Sequence, residues 1–253
     1  ICVVGDMIAL NGEGRSTATL ELFGAQIALL DAIAATGTPM IVVLISSKPL
    51  ALPDSALGAA AIVNAFNPGM KGGLAIAELL FGDIEPSGRL PISFARHAGQ
   101  LPVFYNEMPG QHGHRYADLT QDPLFAFGEG LSYTNIHYSD LTVLKDSYTL
   151  SETITAQITV TNTGQRPALE TVQLYLHDEV TSVTWATKEL KAYQQVWIEA
   201  GQSLTVKLTL PVSECSLVNA SGVRVVEPGT FTVMVGKSSR DRDLLKTRFS
   251  VVG

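Results

Sequence analysis

"TPMIVVLISS", residues 38 to 47, is apolar without interruption from Met40 to Ile45 and closes on two serines. A half-buried strand would alternate, and a helix would need a longer run. The stretch therefore reads as a strand buried on both faces, the kind found in parallel sheets covered by helices. The residues around it agree. Upstream, Leu22, Phe23, Ile27, Leu30, Ile33 and Ala34 fall at helical spacing within Leu22 to Thr36, and Gly37 and Pro39 end that helix. Ile1 to Val4 reads as another buried strand. Downstream, Ala59 to Phe66 is a third apolar run, and Gly73 to Phe81 is a short helix between Gly72 and Gly82. Strands separated by helices predict an α/β sandwich, a mostly parallel sheet flanked by helices, over residues 1–96.

The period then changes. From Tyr138 onward apolar residues alternate, at Ile154, Ala156, Ile158 and Val160, then Val172, Leu174 and Leu176. The pattern repeats at Leu204, Val206, Leu208 and Leu210, and at Phe231, Val233 and Val235. Turn signals lie between them at Asn162-Thr-Gly164, Ala200-Gly-Gln202 and Glu227-Pro-Gly229. This spacing predicts an all-β sandwich of the immunoglobulin or fibronectin III kind over residues 138–253. Between the two, Pro86 to Asn135 is rich in Gly, Pro and His without sustained periodicity. Residues 97–137 are expected to be an ordered connector or a functional loop region.

Length and composition bound the function. The 253 residues suit two domains, and 46% hydrophobic with 16% charged residues is the make-up of a packed core. The longest apolar run falls far short of the roughly 20 residues of a membrane span, so no membrane partner is expected. A net charge of -7 without a Lys/Arg cluster argues against nucleic acid, because nothing would displace its counterions. Cys2 and Cys215 fall in different predicted domains with no C-x-x-C spacing, so neither a disulfide nor a metal site is indicated. The chain starts inside a strand pattern, so it is expected to be part of a longer protein.

In an open α/β sheet, ligands sit beyond the carboxyl ends of the strands, and the loop "LNGEGRSTATLELFG" (10–24) follows the first one. Gly5, Gly12 and Gly14 lack the spacing of a phosphate-binding fingerprint, and Glu13 would repel a phosphate. A carboxylate between two glycines suits general acid/base catalysis, in which one group protonates a leaving oxygen and later takes a proton from water. From the spacing alone, a solvated loop residue fits equally well.

Three stretches decide between them. "NGEGRSTATLELFGAQIALLDAIAATGTPMIVVLISSKPL", "NPGMKGGLAIAELLFGDIEPSGRLPISFARHAGQLPVFYN" and "LFAFGEGLSYTNIHYSDLTV" resemble, collinearly, the C-terminal half of glycoside hydrolase family 3 enzymes of the β-glucosidase and β-xylosidase kind. The sandwich segment is similar to the fibronectin type III-like domain that these enzymes append. "GDIEPSGRLPISF" and "FGEGLSYT" are the most specific motifs. The resemblance implies a retaining exo-acting β-glycosidase that removes terminal β-linked sugars from an oligosaccharide or glycoside. Its nucleophilic Asp lies on an N-terminal TIM-like barrel that this chain lacks, and the S/N-G-E-G loop assigns the acid/base to Glu13. The family often continues this loop with an Asp-Arg pair, whereas Arg15-Ser16 follows here. The fragment alone is expected to be inactive, and no cofactor or metal is implied.

Arg15 is a candidate for contacting a sugar hydroxyl or steadying Glu13. His112, His114 and Arg115 lack a third ligand for a metal and are read as a loop lining the domain junction. Arg89 is expected to pair with a carboxylate such as Asp83. Trp185 and Trp197 could stack on sugars, although burial in a core or between domains is the commoner fate of tryptophan. A non-catalytic carbohydrate-binding or scaffolding protein, and a flavodoxin-like nucleotide binder fused to a sandwich, are the competing readings. A homodimer stays open, and secretion or the periplasm is favoured over the cytoplasm.

Overall fold

The computed structural model of the chain describes residues 1–110 and 116–253 and divides them into two compact units. The first comprises Ile1–Ile84, Ser93–Val103 and Pro123–Phe125. Its sheet has three parallel strands in the order β1 (Cys2–Gly5), β2 (Ile41–Ile45), β3 (Ala61–Asn64), so the apolar run ending at Ile45 is the central strand. Cys2 faces Val42 and Val43 faces Val63 in the ladders. Val42, Val43 and Leu44 are fully buried, as a strand covered on both sides must be. Three helices accompany the sheet, α1 (Gln26–Ala34), α2 (Asp54–Leu57) and α3 (Gly72–Phe81). Leu30 of α1 is fully buried, with Ile27 and Ile33 half-buried at the three-residue spacing that defines its inner face. The segments from the connector join this unit through Phe94. Its N–H donates to the Phe125 carbonyl at 2.8 Å and its ring packs edge-on to Phe125.

The second unit comprises Glu85–Ile92, Phe104–Asp122 and Ala126–Gly253. Its strands are β4 (Ile136–Val143), β5 (Ser147–Thr149), β6 (Thr153–Asn162), β7 (Ala168–Asp178) and β8 (Glu189–Ile198). They continue with β9 (Ser203–Pro211), β10 (Leu217–Val218), β11 (Arg224–Val225), β12 (Gly229–Gly236) and β13 (Leu244–Val252). One sheet runs β5-β13-β12-β7-β8 and the other β4-β6-β9, with β10 and β11 forming a small separate ladder. The alternating residues of β6, β7, β9 and β12 predicted from the sequence form the core between the sheets, with Phe231 stacked on Phe249 and Tyr148 edge-on to Phe249. The Asn162, Gly201 and Glu227 turn signals all lie outside or at the ends of strands.

Parts of the connector belong to this unit and cover the outer face of its larger sheet. There β7 carries Gln173 and Tyr175, both buried. The Gln173 amide donates to the carbonyls of Gly128 and Lys237 at 3.0 and 2.7 Å, and the Tyr175 hydroxyl donates to Gln173 at 2.6 Å. Tyr105 stacks on Phe127 with centroids 4.2 Å apart, meets Tyr175 edge-on, and accepts from the Leu190 N–H. Every buried polar group named here is hydrogen-bonded, which is what allows polar residues to line a buried face.

Arg89 pairs with Glu170 and not with Asp83. Its guanidinium donates to the Glu170 carboxylate at 2.7 Å, and the Tyr138 hydroxyl donates to the other oxygen at 2.8 Å. Glu170 stands on the inward face of β7, where an ionised carboxylate needs a cation, while Asp83 is exposed and gains little from one. The same surroundings push the Tyr138 hydroxyl well above its ordinary pKa, through burial first and the neighbouring Glu170 charge second.

Candidate active site

The loop between β1 and α1 is built from its two ends. At the first, the chain leaves β1 through Gly5, where any side chain would put its first carbon 1.8 Å from the Ile45 carbonyl oxygen. Only glycine fits against β2 so closely. The Gly5 peptide is then held by Gln26 in the first turn of α1. Gly5 N–H donates to Gln26 Oε1 at 2.7 Å, and Gln26 Nε2 donates to the carbonyls of Gly5 and Phe23, each at 2.9 Å.

Beyond Gly5 the loop is fastened along the segment that follows β2. Asp6 N–H donates to the Ile45 carbonyl at 3.0 Å. The Ser47 N–H donates to Asp6 Oδ2 at 3.3 Å, and the Ser47 hydroxyl is shared between that oxygen at 3.1 Å and Asn11 Oδ1. Lys48 Nζ donates to Thr17 Oγ1 at 2.7 Å and lies 3.8 Å from Asp6 Oδ1, whose side chain is only 6% exposed. At the far end, Ala51 N–H donates to the Leu20 carbonyl at 2.8 Å.

Between these fastenings the tip stands free. Gly12 and Gly14 have φ of 105° and 71°, a region that residues with a side chain seldom enter. Glu13 sits between them, exposed, and among the described residues nothing hydrogen-bonds its carboxylate. Arg15 is exposed two residues on, its backbone N–H donating to the Gly12 carbonyl at 3.2 Å. The two side chains predicted for the site thus share one turn at the carboxyl end of β1. A carboxylate held out in this way can give a proton to, or take one from, an atom supplied from outside the loop.

The remaining candidates lie elsewhere. His112, His114 and Arg115 are outside the described residues. No cluster of His, Cys, Asp and Glu among the described residues could hold a metal ion, and Cys2 and Cys215 are both buried free thiols. Trp197 is not core, contrary to expectation. It is 53% exposed on the edge strand β8, on the face away from the sandwich interior, with its indole N–H on Glu199. Trp185 is half-buried in the loop between β7 and β8 and donates to Glu189. Sequence reasoning did not single out Asn11, Thr17, Ser47 and Lys48, whose contacts span from 31 to 36 residues and leave no local pattern. Gln26 carried a signal, as a lone amide opening a helix just after a glycine.

Comparison with known proteins gives this loop its context. The glycosyl hydrolase family 3 C-terminal domain matches residues 1–133, and a fibronectin type III-like domain matches residues 170–239. A β-xylosidase of Formosa agariphila is 40% identical over 99% of this chain and 35% of its own length. A periplasmic β-glucosidase of Salmonella typhimurium is 36% identical over 94% of this chain and 32% of its own. Among solved structures, a β-glucosidase involved in saponin metabolism from intestinal bacteria superposes with a TM-score of 0.95 at 51% identity, over 99% of this chain and 36% of that one. The chain therefore spans about a third of the length of the relatives it matches. It belongs to glycosyl hydrolase family 3, of which it carries the C-terminal domain followed by a fibronectin type III-like domain.

Proposed function

We propose that the chain is the C-terminal part of a retaining, exo-acting β-glycosidase of the β-glucosidase kind, and that Glu13 is its acid/base. The observation that carries this is the loop itself. A carboxylate is displayed at the tip of a segment fastened at both ends, between two glycines at positive φ, at the carboxyl edge of parallel strands. Retaining hydrolysis needs two carboxyl groups about 5 to 5.5 Å apart. One attacks the anomeric carbon, and that nucleophile is assigned to an Asp on a TIM-like barrel elsewhere in the protein. Glu13 protonates the glycosidic oxygen as the leaving group departs. As a carboxylate it then removes a proton from the water that releases the sugar. Arg15 is assigned to a substrate hydroxyl beside it. A β-linked oligosaccharide or glycoside is the substrate, and the likeness to a periplasmic enzyme supports a secreted or periplasmic site of action.

The test uses the whole enzyme. Glu13→Ala should slow hydrolysis of alkyl glycosides by about 10²- to 10⁴-fold, the usual worth of positioned proton transfer. The kcat/KM for a dinitrophenyl glycoside, whose leaving group needs no proton, should fall far less. Azide should restore turnover and yield a glycosyl azide of retained configuration. A loss of only a few-fold on the alkyl glycoside would overturn the assignment and direct attention to another carboxylate, such as Asp6 or Glu21.

A further inference from the structure

We propose that Lys48, held by Asp6, is a positioning residue that fixes the loop carrying Glu13. The inference rests on the acid/base reading above. Glycines at 12 and 14 leave the tip with more backbone freedom than any other residue pair would, and a proton donor that wanders loses rate steeply, about 10²-fold for a displacement near 1 Å. Something outside the tip must limit that freedom. On its amino-terminal side the loop is tied by Asp6 and Asn11 to Ser47. On its carboxyl-terminal side, the polar side-chain tie to the same segment is the Lys48 ammonium on Thr17 Oγ1 at 2.7 Å, a charge-assisted bond. Lys48 also lies 3.8 Å from Asp6, so one cation connects the residue that enters the loop with the residue four positions beyond Glu13. The Thr17 hydroxyl in turn donates to the Thr19 carbonyl at 2.7 Å, which passes the constraint along the returning chain. Lys48 touches no reacting atom in this scheme. Its part is to shorten the range over which Glu13 can move.

The experiment compares Lys48→Met and Lys48→Arg in the whole enzyme, each alone and with Glu13→Gln. Lys48→Met should lower kcat/KM for an alkyl glycoside by about 10-fold or more while changing that for a dinitrophenyl glycoside by less than about 3-fold, because only the first needs a placed proton. Lys48→Arg, which keeps the cation and its donors, should recover most of the loss. In the Glu13→Gln background the Lys48→Met effect on the alkyl glycoside should vanish, since there is no acid left to position. Equal losses on both substrates, or the same loss without the Glu13 carboxyl, would overturn the proposal. Amide exchange reports the fastening itself, whatever Glu13 does. The N–H groups of Leu10, Asn11 and Arg15 are bonded within the loop, and Lys48→Met should speed their exchange about 10-fold or more. Unchanged exchange also overturns the proposal. A normal alkyl-glycoside rate in Glu13→Gln together with accelerated exchange in Lys48→Met would instead sink the acid/base reading and leave the fastening standing.

Discussion

Gln26 holds both main-chain groups of Gly5, the last residue of β1, with the two ends of its amide, accepting from the Gly5 N–H at 2.7 Å and donating to the Gly5 carbonyl at 2.9 Å. Side chain stands in for a neighbouring strand at this point, and it ties the start of α1 to the start of the loop. Gln26→Leu should leave both Gly5 groups without a partner and lower stability by about 1 to 3 kcal/mol. Thermal unfolding checks this, and Gln26→Glu should also be unfavourable, because a carboxylate cannot donate to the Gly5 and Phe23 carbonyls.

Arg89→Met should be more damaging. It would leave Glu170, 3% exposed at the side chain, with the Tyr138 hydroxyl as its one remaining partner among the described residues, and breaking a buried pair from one side costs about 3 to 5 kcal/mol. Denaturant unfolding of the variant should show that loss, and pairing it with Glu170→Gln should recover part of it. A cost under about 1 kcal/mol would mean that the pair is better hydrated than its surroundings suggest.

These two examples mark how far the sequence could be read. Met40 to Ile45 and the alternation in β6, β7, β9 and β12 were legible because burial repeats with the period of the element. The strand β8 was not, since it lies at a sheet edge and exposes Tyr193, Gln194 and Gln195 in succession. The sequence "LLKTRFSVV" of β13 likewise breaks its alternation, with Lys246 following the exposed Leu245. At the candidate site Glu13 and Arg15 were visible through their glycines and motif. The fastening by Lys48 was not, because a bond across 31 residues leaves no local trace. Arg89 was seen to need a carboxylate, but its partner is Glu170, 81 residues on, and not Asp83 in the same segment.

Stability should respond to Asp178 in a way that identifies its charge state. Burial pushes its carboxyl up to about 6 from an ordinary 3.8, with Glu227 adding to the rise and the Val180 N–H opposing it. The folded protein then holds this proton more tightly than the unfolded chain does. As pH climbs from about 4 to about 6 the unfolded state ionises first, so this group's contribution falls across that window and levels off above it. Asp178→Asn should raise Tm by a few degrees at pH 7 and leave it nearly unchanged at pH 4. Equal shifts at both values would show that the carboxyl ionises normally.

Arg15 has a kinetic signature distinct from that of Glu13. If it binds a sugar hydroxyl equally in ground and transition states, Arg15→Met in the whole enzyme should raise KM by about 5- to 20-fold at nearly constant kcat. A fall in kcat with KM unchanged would assign it instead to the transition state, beside the proton transfer.

The interleaving of the two units carries a consequence for how the protein is made. Their boundaries fall after residues 84, 92, 103, 122 and 125, so the chain passes from one to the other five times before settling in the sandwich. A ribosome adding about 5 to 20 residues per second delivers Ile84 roughly 2 to 8 seconds before Phe125, and Arg89 roughly 4 to 16 seconds before Glu170. The first unit therefore emerges without its last pieces, and Arg89 leaves the exit tunnel well ahead of the carboxylate it will neutralise. The first unit cannot be finished until the connector pieces assigned to the second have been made, and a nascent chain paused near residue 100 would hold the first core without Pro123–Phe125 while the sandwich core, built from Ile136 onward, does not yet exist, which is where a chaperone would have most to protect.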